Sequence, residues 1–583
     1  MKKQLLLATA ILLTAASSFA QTLNIGGHRA TYDSRNRIWL CSIPRFIFGD
    51  NYTAEVSYGE DMSNLVIEDL PVANEDMFFF ENVEGGKKYA MTVQYGDSTY
   101  AGDITFTWLP IVELFGDFND DEYTYTSVII SEPDSAYAEP MLAKIKTRGI
   151  ATAMPGKNKL NYRIKFVNED STKCNRRFFG LRNDNNWILD AGQVDFLRVR
   201  NRVSTDLWLD MARRPWYSDT LPNARNGSRG QMVEVMLNGE YRGIYNMCEP
   251  IDRKQLKLKR YDEENEEFHG ELWMAYKWTR TVAMTLITKR TDEVFWNGFE
   301  TKYPDYDEIG RADWTVLENA VNFAYRSDGD SILQVDSMGH YFDLPVMQDY
   351  FIFIATLQAL DNESKNIYYA CHDIADHPRL TMVPWDLDIC LGQMYDPAAT
   401  PNPEAISPTR PFTWVSHLPM VSMWHHRDYH NEVVARYKQL RKGVLDTDSL
   451  VNRYRSVIND LEECGAANRE EKRWSRNRDL AGKKLDLSAE MDYVEDWIRQ
   501  RMPYLDEYVF VEMPDDGGGS GDDDELPGDL NLDGEVTVAD LNLLINVILY
   551  GTNDSGLLKR ADVNKDGEIN IGDVNAIVDI ILN

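Results

Sequence analysis

Residues 360–371 read Leu-Asp-Asn-Glu-Ser-Lys-Asn-Ile-Tyr-Tyr-Ala-Cys, and residues 379–392 read Arg-Leu-Thr-Met-Val-Pro-Trp-Asp-Leu-Asp-Ile-Cys-Leu-Gly. The short apolar runs at 367–371 and 379–383 predict two β-strands, and the polar residues between them fit the loop of an antiparallel hairpin. An apolar helix over 344–360 is predicted to lead into the first stretch. Together the two stretches predict a helix followed by a hairpin in the body of the chain.

The open end of this hairpin is predicted to gather oxygen-bearing side chains. Facing Cα atoms of an antiparallel pair lie roughly 4.5–5.5 Å apart, so Asn366 should neighbour Asp386 and Asp388, with Asp361 one turn away. Phosphoryl transfer needs such a set, because the protein must hold Mg²⁺ on the phosphates and orient the attacking hydroxyl. Asp361-x4-Asn366 has the spacing of a kinase catalytic loop, and Asp386 follows a strand as a kinase metal-binding aspartate does. The alternative is a solvated loop in which Asp386 caps the next element.

The first 20 residues have the pattern of a secretory signal peptide. Lys2 and Lys3 give a basic start, residues 5–16 form a short apolar run, and residues 18–20 offer small side chains at a cleavage site. The apolar run is shorter than the roughly 20 residues that span a membrane. We therefore predict a secreted, periplasmic or cell-surface protein without a transmembrane segment, whose mature chain begins at residue 21.

The formal net charge of −33 is unevenly distributed, since residues 512–583 hold 17 acidic and three basic side chains. This balance argues against a nucleic-acid partner, whose phosphates would be repelled, and it suits a chain that binds divalent cations. None of the six cysteines forms a C-x-x-C pair, so a zinc ribbon or a thioredoxin-type site is not predicted.

Hydrophobic periodicity predicts three folded parts joined by one linker. Residues 21–109 show alternating runs about ten residues apart, which favours an all-β immunoglobulin-like sandwich. Residues 110–511 begin β-rich and become helical after about residue 313, which predicts a two-lobed α+β domain with a cleft between the lobes. A Gly- and Asp-rich linker is predicted at 512–527, and an internal repeat fills 528–583.

The repeat consists of two loops, 33 residues apart, that fit the pattern of calcium-binding loops. Such loops have oxygen ligands at positions 1, 3, 5 and 12, a carbonyl at position 7 and glycine at position 6. The predicted ligands are Asp529, Asn531, Asp533, Glu535 and Asp540 in the first loop and Asp562, Asn564, Asp566, Glu568 and Asp573 in the second. Apolar helices are predicted after each loop, at 541–549 and 574–582. This duplication resembles the type I dockerin family, which implies two bound calcium ions and a cohesin-like or other surface protein as partner.

Further motifs follow one another along the body. They are K-T-R-G at 146–149, K-L-N-Y-R-I-K-F at 159–166, N-W-I-L at 186–189, L-R-V-R-N-R-V-S-T-D-L at 197–207, the segment 234–249, and W-I-R-Q-R-M-P-Y-L-D at 497–506. Together with D-N-E-S-K-N at 361–366 and P-W-D-L-D at 384–388, they resemble the spore-coat protein H (CotH) family of atypical protein kinases. The likeness runs over residues 110–510.

The resemblance implies a protein-kinase-like fold that transfers phosphate from Mg·ATP to Ser or Thr hydroxyls of a protein. The implied catalytic and magnesium-binding residues are Asp361, Asn366, Asp386 and Asp388. The implied nucleotide-contacting residues are Lys159 or Lys165, Glu249, Arg148 and Arg200. Lys159 and Lys165 are separated by an even number of positions and are expected on one strand face, where Glu249 would pair with one of them. A plain surface salt bridge is the alternative for that pair.

Three functions remain open from the sequence. The first is an exported Ser/Thr kinase-like enzyme tethered through its dockerin. The second is a catalytically silent docking or surface scaffold of the same fold. The third is a polysaccharide-degrading glycoside hydrolase component, which is suggested only by the kind of protein in which dockerins usually occur. Such an enzyme would need two carboxylates roughly 5–10 Å apart. Binding of ATP and Mg²⁺ separates the first from the other two.

Overall fold

The computed structural model describes residues 22–118, 122–136, 138–149, 158–286, 289, 292–328, 330–395, 401–402, 404–411, 423–475, 483–514, 526–530, 535–550 and 555–582. The predicted signal peptide, most of the predicted linker, Asn531 and Asp533 lie outside these residues. Within the ranges just given, no helix is both long and apolar enough to cross a membrane. All six cysteines are free thiols.

An all-β domain precedes the body. Its strands are β1 (Leu23–Ile25), β2 (His28–Asp33), β3 (Ile38–Ser42), β4 (Tyr52–Tyr58), β5 (Met62–Ile67), β6 (Leu70–Pro71), β7 (Asp76–Phe80), β8 (Tyr89–Tyr95) and β9 (Ser98–Thr107). They hydrogen-bond in the order β6-β5-β8-β9-β3-β2-β1-β4-β7 around a core that includes Val56, Phe80 and Phe106. The all-β prediction is confirmed. The strands form one continuous sheet instead of two separate sheets, because the parallel pair β3–β9 joins the two halves.

The body opens with a closed β-barrel. Its strands are β10 (Ile111–Leu114), β11 (Thr124–Ser131), β12 (Met141–Arg148), β13 (Asn161–Phe166), β14 (Asn186–Asp190), β15 (Gly230–Leu237) and β16 (Glu240–Cys248). The order β10-β11-β12-β13-β14-β16-β15 closes because β10 pairs in parallel with β15. Tyr162, Ile164 and Phe166 alternate along β13 and fill the interior. The β15–β16 turn has positive φ at Asn238 (52°) and Gly239 (71°), as the sequence predicts for a tight hairpin.

A second sheet packs against the outside of this barrel. Its strands are β17 (Glu271–Ala275), β18 (Phe295–Trp296), β19 (Phe299–Tyr303), β20 (Ile367–Asp373) and β21 (His377–Pro384). They pair in the order β18-β19-β17-β20-β21. A separate two-stranded sheet consists of β22 (Met394–Tyr395) and β23 (Pro401–Asn402). Ile188 and Cys248 of the barrel pack on Tyr368 and Val383 of the sheet. Strands β20 and β21 are the predicted hairpin, and its loop is shorter than predicted because Asp373 pairs with His377.

Helices dominate the rest of the body, as predicted. They are Arg200–Met211, Arg253–Leu256, Tyr306–Ile309, Thr315–Arg326, Ser331–Ser337, Leu344–Leu357, Arg427–Arg441, Thr447–Glu463, Ala466–Trp474 and Leu487–Tyr504. The central helix Leu344–Leu357 is buried from Val346 onward. It ends at Leu357 rather than at residue 360, because Gln358 adopts a left-handed conformation with φ of 49°. A 3-10 turn over Leu360–Glu363 follows and carries Asp361.

The carboxyl-terminal repeat is helical. Val538–Tyr550 and Ile571–Leu582 contain the two predicted helices and begin slightly earlier than expected. A short helix over Ser555–Ala561 precedes the second loop and was not predicted, since it is too short for a periodic apolar pattern. Leu544 and Ile577 meet in the core of this unit.

The β-domain is packed tightly on the body. Leu40 lies in one buried cluster with Ile111, Met236 and Tyr241. The Arg29 Nε atom is 2.7 Å from the Glu113 carboxylate, and both side chains are largely buried. An apolar cluster and a shielded ion pair therefore join the two parts.

Candidate active site

The hairpin mouth is closed by backbone hydrogen bonds. Ile367 faces Pro384 in the ladder, and the N–H of Trp385 donates to the carbonyl oxygen of Asn366 at 2.9 Å. The fully buried Asn362 side chain donates from Nδ2 to the carbonyl oxygens of Trp385 (2.8 Å) and Asn366 (3.2 Å). The predicted proximity of Asn366 to the segment of Asp386 is confirmed.

Two residues at this mouth have left-handed backbone conformations. The φ angle is 57° at Asn366 and 58° at Asp386. Such conformations in residues other than glycine cost on the order of 1–3 kcal/mol and persist where the surrounding structure enforces them, often at functional sites. Here the hydrogen bonds of Asn362 and Trp385 supply that enforcement.

Carboxylates crowd the space beyond the mouth. Although the Asp386 side chain reaches solvent, the surrounding protein desolvates it and, with the charges of Asp190 and Asp361, raises its pKa to about 6. Burial, followed by the charges of Asp386 and Asp190, raises the pKa of Asp388 well above its ordinary value. The charges of Asp190 and Asp361 thus act on both Asp386 and Asp388, and carboxylate oxygens are hard donors of the kind that divalent cations prefer.

Asp190 and Asn201 belong to this site although sequence reasoning did not select them. Asp190 ends β14, and its Oδ2 accepts a hydrogen bond from Asn201 Nδ2 at 2.6 Å. Asn201 Oδ1 in turn accepts from the N–H of Leu387 at 3.1 Å. Asn201 therefore ties the strand that carries Asp190 to the loop that carries Asp386 and Asp388. Both residues lie in or beside the quoted motifs, but no local spacing indicated this long-range contact.

Asp361 lies at the edge of the cluster. Its carboxylate is 2.7 Å from the Nζ of Lys365, and its Oδ1 accepts from Trp278 Nε1 at 3.4 Å. The positive charge of Lys365 also lowers the pKa of Asp386, against the dominant effect of desolvation. Lys365 is thus a cation between the two aspartates, and sequence reasoning missed it inside D-N-E-S-K-N.

Arg148 is the predicted nucleotide-contacting residue that the structure brings to the cluster. Its guanidinium lies 5.4 Å from the centre of the Trp385 ring, and its charge also lowers the pKa of Asp386. Two further cations adjoin it. Burial lowers the pKa of Lys302, Glu300 opposes this, and the charges of Arg163 and Arg148 lower it further. Arg148, Arg163 and Lys302 therefore form a basic group beside the acidic cluster.

The two predicted phosphate-binding lysines lie in different surroundings. Lys159 precedes β13 and is fully buried, with Nζ 2.8 Å from Glu470 and 2.7 Å from the carbonyl oxygen of Ile244. Burial lowers its pKa to about 7. Lys165 lies on the outer face of β13 with Nζ 4.9 Å from the centre of the Tyr123 ring. The prediction that they share one face is therefore wrong.

Glu249 and Arg200 also have other partners than those expected. Glu249 pairs with Arg225 at 3.0 Å and Arg229 at 2.9 Å, so the predicted pair with a lysine is not formed. Arg200 is fully buried between Asp195 (2.7 Å) and Glu490 (2.5 Å) and has no surface left for a phosphate. Buried charges require partners, and these long-range partners are not readable from local sequence.

The last predicted ligand of each calcium loop is a buried aspartate that accepts two backbone hydrogen bonds. Asp540 is fully buried and accepts from the N–H groups of Leu530 and Thr537, both at 2.8 Å. Asp573 is likewise buried and accepts from Asn564 at 3.1 Å and Asn570 at 3.0 Å. In the described part of each loop, two backbone N–H groups therefore point at this carboxylate.

The second loop is described in full and suits calcium. Asp562 accepts from the N–H groups of Asp566 and Gly567, both at 3.0 Å. Gly567 has a φ of 89°, which explains glycine at position 6. Asp566 accepts from the N–H of Glu568 at 2.8 Å, and Asn564 Oδ1 accepts from the Asp566 N–H at 2.9 Å. In the first loop, Asp529 is buried and Glu535 is exposed.

Comparison with known families matches both functional parts of the chain. The CotH kinase protein family matches residues 145–505, and the type I dockerin domain matches residues 527–582. The comparison with curated proteins finds no match. Type I dockerins typically bind calcium, occur in extracellular or cell-surface proteins and imply a cohesin-type partner. Because the first match spans more than half of the 583 residues, the chain belongs to the CotH kinase protein family and carries a type I dockerin domain.

Proposed function

We propose that this chain is an exported protein-kinase-like enzyme that transfers phosphate from Mg·ATP to Ser or Thr hydroxyls of a protein, tethered through its calcium-dependent dockerin. The observation that carries the proposal is the electrostatic interaction of Asp386 and Asp388 with Asp190 and Asp361, beside a basic group, at the mouth of one hairpin. Desolvation first, and then the charges of these neighbouring carboxylates, raise the pKa values of both Asp386 and Asp388. Perturbed carboxylates of this kind are typical of functional sites.

Asp386, Asp388 and Asn366 are the proposed magnesium ligands. Carboxylate and amide oxygens are the donors that Mg²⁺ prefers, and the left-handed backbone at Asn366 and Asp386 supports a constrained function for both. When bound there, magnesium would neutralise phosphate charge and orient the transferring group. Asp190 is a further proposed acidic neighbour, held by Asn201.

Asp361 is the proposed base for the acceptor hydroxyl. In this role its carboxylate orients the Ser or Thr hydroxyl and takes up its proton as the new O–P bond forms, while the bond from the γ-phosphorus to the bridging oxygen breaks and ADP leaves. The 2.7 Å contact with Lys365 holds the carboxylate in place. Lys365 is a positioning residue in this scheme.

Arg148 is the proposed contact to the phosphates, with Arg163 and Lys302 as supporting cations. The charge of Arg148 acts on Asp386, where the triphosphate and its metal would have to meet, and Arg148 and Arg163 in turn act on Lys302. Lys159, in contrast, is proposed to position the barrel, because its buried bond to Glu470 fixes β13 and β16 to the helix Ala466–Trp474. We propose no nucleotide contact for Arg200 or Glu249.

Transfer of labelled γ-phosphate to a Ser-rich protein tests the proposal in the full-length chain. We expect Mg²⁺-dependent transfer by the unaltered protein. Asp361→Asn should retain nucleotide binding while transfer falls by on the order of 10²–10⁴-fold. Binding without any transfer would favour the silent scaffold, and the absence of both would contradict the proposal.

A further inference from the structure

A cavity of about 320 Å³ opens near the start of β14, at the opposite end of this strand from Asp190. Its volume lies at the lower end of the roughly 300–1,000 Å³ typical of small-molecule sites. Five of its lining residues are cations: Arg182, Arg225, Arg253, Lys254 and Lys257. In a protein with a net charge of −33, such a basic lining is unusual.

Acidic residues neutralise only part of this lining. Arg182 forms two hydrogen bonds with Asp252, at 2.9 and 2.7 Å, and Lys254 lies 2.7 Å from Asp184. Among the described residues, Arg253 and Lys257 form no ion pair. Lys257 is exposed, and Arg253 is partly exposed while its Nη1 donates to the carbonyl oxygen of Leu258 at 3.3 Å and its guanidinium lies 5.8 Å from the centre of the Tyr303 ring. Neither charge is neutralised by an acidic residue of the described part of the chain.

The guanidinium groups of Arg182 and Arg225 have unused donors. The Nε atom of each is buried and has no hydrogen-bond partner within the described part of the chain. Arg225 also shares Glu249 with Arg229, at 3.0 and 2.9 Å. Burial lowers the pKa of Arg225, Glu249 opposes this, and the charges of Arg229 and Arg182 lower it further. An anion in the cavity would relieve this repulsion.

We propose that this cavity binds a phosphate monoester through Arg182, Arg225, Arg253 and Lys257. Guanidinium groups match the oxygens of phosphate, and an excess of cations suits a dianion better than a single carboxylate. The cavity is larger than inorganic phosphate needs, so it has room for the group that carries the ester. The site is separate from the Asp386 cluster and does not depend on the proposed phosphotransfer.

Isothermal titration calorimetry with the full-length protein tests this site, using O-phosphoserine and inorganic phosphate as probes and sulfate as the anion control. The test variant is the double substitution Arg253→Gln and Lys257→Gln, because neither side chain neutralises a buried acid. Lys442→Gln, at an exposed lysine elsewhere in the body, is the matched control. The single variant Lys257→Gln serves if the double variant does not fold.

We expect saturable binding of O-phosphoserine that weakens at least about tenfold in the double variant and stays unchanged in Lys442→Gln and Asp386→Asn. Weaker binding in the single variant would support the site in the same way. Binding of inorganic phosphate alone, lost in the variants, would also support the site but assign it to the free anion. Binding that the variants do not weaken, equal binding of sulfate, or no saturable binding at millimolar concentration would overturn the proposal.

Discussion

The N–H of Trp385 donates to the carbonyl oxygen of Asn366 across 2.9 Å, and this bond joins the two halves of the candidate active site. The Asn362 side chain reinforces the bond by donating to the carbonyl oxygens of both residues. The chain on either side is then forced into left-handed conformations at Asn366 and Asp386. Two separate segments thereby present their polar side chains to the same space.

The carboxylate cluster should make the metal-free protein less stable than it could be. The folded state raises the pKa of Asp386 from 3.8 to about 6, so the cost of its ionised form grows as the pH rises through this interval and is fully present above pH 6. Asp386→Asn should therefore raise the melting temperature of the body at pH 8, and raise it less at pH 5. Calorimetry in excess EDTA measures this difference.

Asp97→Asn is the control for that experiment, since Asp97 is exposed in a hairpin turn. This variant should melt like the unaltered protein at both pH values. A lower melting temperature for Asp386→Asn at pH 8 would show that Asp386 stabilises the fold instead of being strained within it.

Lys159 should matter to stability more than to nucleotide binding. Lys159→Met removes one partner of a buried ion pair, a change that typically lowers the free energy of unfolding by roughly 3–5 kcal/mol. Because Arg198 still pairs with Glu470 at 2.6 Å, we expect a loss at the lower end of this range, about 3 kcal/mol. Folding lowers the pKa of Lys159 from 10.5 to about 7. The folded protein therefore binds fewer protons than the unfolded protein at pH values between these two pKa values. The stability gap between the two proteins should therefore widen from pH 7 to pH 9.5.

Urea unfolding at the two pH values measures this gap, and Lys165→Met, at a partly exposed lysine on the outer face of β13, is the matched control. The control should lose less than about 1 kcal/mol. A Lys159→Met variant of normal stability that no longer binds ATP would return Lys159 to a nucleotide-binding role.

Calcium should hold only the carboxyl-terminal unit together. Removing it leaves the carboxylates of each loop without a cation, so the helices Val538–Tyr550 and Ile571–Leu582 should unfold. Hydrogen exchange of the full-length chain with EDTA should show lost protection in both helices and retained protection in Leu344–Leu357. Readdition of Ca²⁺ is the control and should restore the protection. Unchanged protection in EDTA would mean that the apolar core of this unit suffices.

The β-domain should stabilise the body through Leu40. This side chain is almost fully buried against Ile111, Met236 and Tyr241, and Leu40→Ala should lower the unfolding free energy by roughly 2–5 kcal/mol. Leu70→Ala is the control, because Leu70 is 59% exposed and should change it by about 0.5 kcal/mol or less. Urea denaturation compares the two, and equal small effects would show that the domains unfold independently.

Local patterns predicted the parts of the structure that local interactions determine. The central helix, the hairpin at Asn366 and the calcium-loop helices follow from periodicity and turn residues over short segments. The contacts that decide side-chain roles are long-range. Lys159 meets Glu470, which is 311 positions away, and Asn201 meets Leu387, which is 186 positions away.

Local sequence patterns do not determine long-range contacts, and this explains why the predictions for the β-domain and for Glu249 differ from the structure. Strand alternation identified the β-domain, but the parallel pairing of β3 with β9 is a tertiary choice that no turn between them specifies. Charge complementarity alone predicts a lysine partner for Glu249, because it does not distinguish a lysine from Arg225 and Arg229, which are the partners in the structure. The partners of the buried Glu249 carboxylate are the arginines that the fold brings next to it.

Calorimetric titration of ATP into the full-length protein, with and without Mg²⁺, tests the proposed site most directly when the unaltered chain is compared with Asp386→Asn. We expect saturable binding in Mg²⁺ that weakens at least about tenfold when the metal is omitted or Asp386 is replaced, while Asp97→Asn binds normally. ATP binding that is unchanged by Asp386→Asn and indifferent to Mg²⁺ would contradict the assignment of the Asp386 cluster as a metal-nucleotide site.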